Sequence, residues 1–194
     1  KTWGTNMGDE ALLADGFSLK YIDHLQRQNA EELAFYPLTT LEKAFEEGKI
    51  IGCYENDEPA GYLWFGSVRP GYDVTIYQAC VDYSARRRHL GLGLVRDLMD
   101  LGRAGAALGI RLRCASSSDA NEFWSLTGFY CTRVSNGGIK RARMLNHWRT
   151  DLTPSLFIPE IVEPSKKQTN LKAYNKMKRD GIEMPSGWSR GHYS

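Results

Sequence analysis

The run Arg86-Arg87-Arg88-His89-Leu90-Gly91-Leu92-Gly93 joins two patterns that no single element can carry. Upstream, Val74 to Tyr83 alternates in the manner of a strand, with Tyr77, Ala79, Val81 and Tyr83 on one face and Ile76, Gln78, Cys80 and Asp82 on the other. Downstream, Leu94, Leu98, Leu101, Ala104 and Leu108 recur at helical spacing. A strand therefore turns into a helix at the glycines, and Gly91 and Gly93 let the backbone approach a ligand. The first amides of a helix favour an anion, and arginine forks suit phosphate oxygens. The third glycine of a dinucleotide fingerprint would fall at Arg96, and no Gly-Lys-Ser or Gly-Lys-Thr ending is present. Both of those phosphate loops are excluded.

At 194 residues, with 42% hydrophobic and 25% charged content, the chain suffices for one buried core and an appendage. Apolar runs fall short of the roughly 18–20 residues that span a bilayer, and no signal-peptide pattern is visible, so a cytoplasmic protein is expected. Cys53, Cys80, Cys114 and Cys131 lie apart in strand-like contexts and read as buried thiols of a reducing compartment. His24, His89, His147 and His192 form no metal-ligand pattern. Pro164 to Ser194 carries a local charge of +5 and leaves −3 on the rest, which separates a main domain, residues 1–151, from a basic extension, residues 152–194.

Ser18 to Ala30 reads as a first helix. Thr39 and Glu42 form a capping box for a second, which Gly48 closes. Ile50 to Tyr54 and Ala60 to Phe65 make a hairpin around Glu55-Asn56-Asp57-Glu58-Pro59. After the long helix, ended by Gly109, come a strand over Ile110 to Ala115, a short helix over Ala120 to Thr127 capped by Asp119, and strands over Phe129 to Val134 and Lys140 to Trp148 joined at Asn136-Gly137-Gly138. This order implies an α/β sheet flanked by helices.

Arg88-x-x-Gly91-x-Gly93 resembles the Arg/Gln-x-x-Gly-x-Gly/Ala pyrophosphate loop of the GNAT N-acyltransferase superfamily. The element order agrees over roughly Phe17 to Asp151, and Ala120-Asn121-Glu122-Phe123-Trp124-Ser125-Leu126-Thr127-Gly128-Phe129 is similar to that family's second motif. The resemblance implies a mixed, mostly antiparallel central sheet with flanking helices. It also implies acetyl-CoA or a related acyl-CoA as cofactor, held by Arg86, Arg87, Arg88, His89, Leu90, Gly91, Leu92, Gly93 and Asn121, and an amine-bearing acceptor. In the family, a splay between the strands at Val74–Tyr83 and Ile110–Ala115 admits the pantetheine arm. Where many members place a tyrosine as general acid, this chain has Trp124, and an indole supplies no titratable proton.

Acyl transfer to an amine needs a base for the ammonium and stabilisation of the oxyanion and the thiolate. The candidates near the strand ends are Tyr77, Asp82, Ser116 and Asn121. Each has a plainer reading: Tyr77 as a half-buried strand aromatic, Asp82 as an ion pair with Arg86 or Arg87, Ser116 as a loop or cap residue, and Asn121 as a positioning group. Arg141, Arg143, His147 and Arg149 share one face of the last strand, suited either to a solvated sheet edge or to an anionic partner. The extension interleaves Lys172, Lys176, Lys178 and Arg179 with Trp188 and Tyr193.

Together with Arg113-Cys114 and Gly137-Gly138, these features are similar to the phage Mom-type branch of GNAT-like proteins that modify adenine in DNA. That resemblance implies double-stranded DNA as partner, through Arg141, Arg143, Arg149 and the tail, an extruded base, and a phage protein acting in a bacterial host. A metal in that branch is conceivable, with no ligands identifiable here. The functional readings are thus a GNAT N-acyltransferase, a Mom-like DNA-modifying enzyme, and a nucleic-acid-binding module on the same scaffold.

Overall fold

The computed structural model describes residues 17–30, 32–137, 143–153 and 161–165. Their elements are, in chain order, α1 (Leu19–Gln28), α2 (Leu38–Glu46), β1 (Ile50–Glu55), β2 (Glu58–Phe65), β3 (Asp73–Val81), α3 (Leu90–Ala104), β4 (Gly109–Ala115), α4 (Ala120–Leu126), β5 (Tyr130–Asn136) and β6 (Met144–Asp151), with a 3-10 turn at Tyr83–Ala85. The strands form one mixed sheet in the order β1-β2-β3-β4-β6-β5. β3 and β4 run parallel, whereas the pairs β1–β2, β4–β6 and β5–β6 are antiparallel. The expected fold class, a mostly antiparallel sheet flanked by helices, is the observed one. The chain divides into two compact units, Lys1–Trp64 with Gln78–Leu98, and Phe65–Tyr77 with Met99–Ser194.

In the first unit, the Ser18 hydroxyl caps α1 by accepting from the Tyr21 amide at 3.3 Å, and Ile22, Leu25 and Gln26 are buried at helical spacing. α2 starts earlier than the Thr39–Glu42 capping box predicts. The Pro37 carbonyl accepts from the Thr40 and Leu41 amides, no side chain caps the helix, and Thr39 lies inside its first turn. Proline's fixed φ, here −59°, already places the entering chain, so the box is not needed. The β1–β2 turn is tighter than the sequence suggests. Asn56 and Asp57, with φ of 50° and 66°, make it alone, and Pro59 sits in β2 opposite Tyr54, where the register shifts. Phe17, Ile22, Leu25, Leu41, Tyr62 and Trp64 anchor this unit's core.

Among these apolar groups lie two buried glutamines. Gln78, on the same face of β3 as Ile76 and Cys80, donates through Nε2 to the Ala34 carbonyl at 2.5 Å and to Gln26 Oε1 at 3.1 Å, and accepts from the Tyr62 hydroxyl at 3.0 Å. Gln26 donates to the Tyr36 carbonyl at 2.9 Å and to Asp23 Oδ1 at 3.1 Å, and accepts from the Tyr36 amide at 3.0 Å. The network ties α1, β2 and β3 to the segment that leads into α2.

In the second unit, α3 ends before the helical pattern does. Ala106 takes φ 54°, the Ala107 amide returns to the Gly102 carbonyl, and Leu108 leaves the helix to bond the Tyr72 carbonyl. Gly109 is thus the first residue of β4, opposite Asp151, rather than the helix terminator. Gly102 and Gly105 are where a Cβ would strike the Leu152 and Val68 side chains, so the helix needs both for its packing. Asp119 precedes α4 in helical conformation and makes no side-chain cap; the Ser118 hydroxyl accepts from the Ala120 amide instead. The last hairpin is shifted from its expected bounds, β5 starting at Tyr130 and β6 at Met144, with the Gly137 amide donating to the Arg143 carbonyl at 2.6 Å. Arg141, Gly138 and Lys140 fall outside the described residues, as do the extension's Lys172, Lys176, Lys178 and Arg179.

Substituting Gln78→Leu leaves the buried Tyr62 hydroxyl without its acceptor and takes one hydrogen bond each from Gln26 Oε1 and the Ala34 carbonyl. A loss of about 3 kcal/mol in unfolding free energy is expected, read from urea denaturation midpoints at unchanged slope.

Candidate acyl-carrier site

The strand-to-helix turn belongs to the first unit, and its conformation is fixed by side chains rather than by its glycines. β3 stops at Val81, and Tyr83, expected as its last residue, opens the 3-10 turn. Asp82 forms no ion pair there: its Oδ1 accepts from the Ser84 amide at 2.9 Å and the Ser84 hydroxyl at 2.7 Å. Those Ser84 bonds hold the Asp82 carboxyl below its ordinary pKa, with smaller contributions from His24 and Arg86. Arg86 donates to the Val81 carbonyl at 3.2 Å and to Asn29 Oδ1 at 2.8 Å, and lies 5.3 Å over the exposed Tyr83 ring. Arg88 pairs with Glu55 at 2.5 Å. Arg87 is exposed and, among the described residues, has no such partner.

The positions that need a left-handed backbone are Arg87 and His89, with φ of 64° and 62°. Gly91 and Gly93 lie inside α3 instead. The Gly93 amide makes the first helical bond, to the His89 carbonyl at 3.0 Å. The amides of Leu90, Gly91 and Leu92 therefore precede the helical ladder and have no intrahelical acceptor. A Cβ added at Gly93 would meet no heavy atom within 4 Å. At Gly93 the first turn of α3 is open, and the three preceding amides stand at the positive end of the helix dipole.

In the second unit the parallel ladder of β3 and β4 covers Asp73–Thr75 against Gly109–Arg111 and no more, although both strands continue. Tyr77 is 46% exposed on β3, whereas Ser116 is buried just beyond β4, its amide donating to the Met144 carbonyl at 2.9 Å. Asn121 and Ser116 share the turn into α4, because Asn121 Nδ2 donates to the Ala115 and Ser118 carbonyls, each at 2.7 Å. Asn121 Oδ1 accepts from Asn146 Nδ2 at 2.9 Å and Trp148 Nε1 at 3.0 Å. An amide has two donors and two acceptor sites, so Asn121 has none left for a ligand. Trp124 is buried edge-on between Phe123 and Phe129, a core residue.

Arg149 also differs from its expected role as an anion contact. It forms a two-pronged bond to Asp73, each arm 3.1 Å, pairs with Asp151, and donates to the Tyr130 hydroxyl at 2.7 Å. These partners raise its pKa and neutralise its charge. Burial pushes the Cys53 thiol up to about 11 and Cys80 to about 12, which makes both poor nucleophiles. All four cysteines are free. Among the described residues, no cluster of His, Cys, Asp and Glu could hold a metal, and no helix is long and apolar enough to cross a membrane.

The sheet is mixed, and β3 leads through the 3-10 turn into α3, whose first amides precede the helical ladder. The profile of the acetyltransferase (GNAT) family matches residues 18–129, more than half of the chain, and the chain belongs to that family. Among solved structures, Ard1 from Thermoplasma volcanium is similar at 17% identity, with a TM-score of 0.61 over 71% of this chain and 95% of that one. The ribosomal-protein-S18-alanine N-acetyltransferase from Escherichia coli is similar at 16% identity and a TM-score of 0.57, over 71% and 89%. An aminoglycoside 6'-N-acetyltransferase complexed with coenzyme A matches at 15% identity and a TM-score of 0.58, over 71% and 92%. At these identities the structures share the fold. None of the curated proteins matches the sequence.

The Asp82 cap carries a pH signature. A carboxyl whose pKa is depressed by folding stabilises the protein above its unfolded value of about 3.9 and loses that contribution as the pH falls through the folded value. Asp82→Ala should therefore cost about 1 kcal/mol at neutral pH, the difference from wild type closing in acid as Asp82 is protonated. Urea titrations of both proteins at neutral and acidic pH check this.

Proposed function

We propose that the protein is an acyl-CoA-dependent N-acyltransferase that uses acetyl-CoA or a close relative. The observation that carries this reading is the first turn of α3, whose Leu90, Gly91 and Leu92 amides have no intrahelical acceptor, in the stretch that resembles the family's pyrophosphate loop. In this assignment the backbone amides of residues 90–92 hold the pyrophosphate and Arg87 supplies charge, while Arg86 and Arg88 fix the loop through Asn29 and Glu55. We assign residues 1–151 to the catalytic domain and residues 152–194 to a basic, aromatic-containing extension.

Transfer forms a carbon–nitrogen bond as the amine attacks the thioester carbonyl. The ammonium proton leaves to a base, the carbon–sulfur bond breaks, and the thiolate takes a proton. Asp82, held anionic by its Ser84 bonds, is a weak base, and Asn121 is saturated. Tyr77 and Ser116 remain the candidates for proton transfer, and Tyr77→Phe should lower kcat by about 10²-fold with little change in KM.

The alternative acceptor, the exocyclic amine of adenine in DNA, rests on the Mom-type sequence resemblance. One of its three named arginines, Arg149, is already neutralised by Asp73 and Asp151. Mass spectrometry of nucleosides from DNA co-expressed with the protein separates the two readings: a new adenine adduct favours DNA, and its absence favours another amine.

Gly91→Glu places a carboxylate where the pyrophosphate would lie. Acetyl-CoA turnover against a panel of amines, followed by thiol release, should fall about 100-fold or more in kcat/KM, with circular dichroism unchanged. Wild-type CoA affinity in this variant sinks the assignment.

A further inference from the structure

The sheet of the second unit carries a row of basic groups that the proposed reaction does not use. Arg113 of β4 pairs in register with His147 of β6, which pairs on its other side with Arg133 of β5. The three side chains therefore share one face, side by side across three strands, about 10 Å from end to end at the usual strand spacing. Arg113 and Arg133 are exposed and, among the described residues, have no hydrogen-bond or ion-pair partner. Ser135, on the same face of β5, holds His147 Nε2 at 2.7 Å. Burial and the two flanking guanidiniums lower the His147 pKa, and no acid among the described residues opposes them there.

Like charges set across neighbouring strands destabilise a sheet, and the ordinary remedy is an interleaved acid. One row away this remedy is in place, where Asp73 and Asp151 enclose Arg149. Here it is missing. Two arginine forks and an imidazole in one short row match the oxygens of a single phosphate group. We propose that Arg113, His147 and Arg133 form a binding site for the phosphate of a small phosphorylated ligand.

The compactness of the row distinguishes this ligand from a nucleic acid. A backbone with closely spaced charges needs a track of cations. The neighbouring rows add a single cation, Arg111, whose Nε is tied to the Thr75 hydroxyl at 3.1 Å: Arg149 beside it is neutralised by Asp73 and Asp151, and Ala115 and Leu145 on the other side carry no charge. The inference uses no residue of the α3 turn, so its failure and that of the acyltransferase reading are independent.

The test is an NMR titration of the His147 imidazole in the full chain with inorganic phosphate, and separately with a short DNA duplex. Phosphate is expected to shift the resonances saturably and to raise the His147 pKa back toward the ordinary value. Arg113→Gln and Arg133→Gln should each weaken this response about ten-fold, with Arg113→Lys intermediate because it keeps charge and loses the fork. Neither glutamine variant should lower the melting temperature, since each relieves a repulsion. A His147 signal indifferent to millimolar phosphate overturns the proposal. So does a duplex that moves it, with steep salt dependence, where phosphate does not. A lowered melting temperature with an unchanged phosphate response would make the arginines structural and likewise overturn it.

Discussion

The first unit depends on a pair of buried amides. Gln78 sits on the apolar face of β3, a position where an unmet amide would cost several times what a made hydrogen bond returns. It is satisfied only by groups from three other segments: Tyr62 of β2, Gln26 of α1, and the carbonyl of Ala34 in the stretch leading into α2. No subset meets the requirement. The network thus selects one arrangement of these elements out of the many that hydrophobic contact between Leu25, Leu41 and Trp64 would tolerate. β3 leaves this clamp at Cys80 and reaches Asp82 two residues later, so the position of the turn into α3 is inherited from the glutamines.

From Asp82 onward the chain is held by charge. Arg87 and His89 adopt left-handed backbone at roughly 1 kcal/mol or more each, although glycines stand within a few residues. The strain is offset by the Asp82 cap on Ser84, by the Arg86 bonds to Asn29 and the Val81 carbonyl, and by the Arg88–Glu55 pair. Glycine is placed instead inside the helix, where its gain is bareness rather than flexibility. In the proposed assignment the pyrophosphate donors are backbone amides aimed in advance, so little ordering remains to be done when a ligand arrives. Two of the three arginines thus act on the loop itself.

Much of this was legible in the chain. Alternation along Val74 to Val81 placed Gln78 and Cys80 on one face correctly, and Asn56-Asp57 marked a hairpin, because both signals are local. What failed was whatever depends on a partner distant in sequence. The capping box at Thr39 is sound chemistry that Pro37 pre-empts. Asn121 looks available until Asn146 and Trp148, twenty-five residues and more away, claim its oxygen. Leu108 continues the spacing of α3 and yet leaves the helix, because the Tyr72 carbonyl takes its amide. The role of Gln78 was open to inference from its face, since a polar residue among buried neighbours must find partners, but their identity was not.

Arg149 and Arg113 show why a row of basic residues cannot be read from one strand alone. Sequence spacing places Arg149 beside His147 on β6 and gives no hint of Arg113 or Arg133, which join the face only through the β4–β6–β5 register. The same register that brings two carboxylates to Arg149 denies them to the next row. There the cheapest response available to the protein is to keep the central imidazole neutral, because a third positive charge between two guanidiniums would add to the repulsion and to the desolvation cost. The protonation of His147 is thereby coupled to the charge on either side of it. An anion bridging the arginines would remove their share of the depressed pKa and leave that of burial, so the imidazole reports on the occupancy of the row from within it.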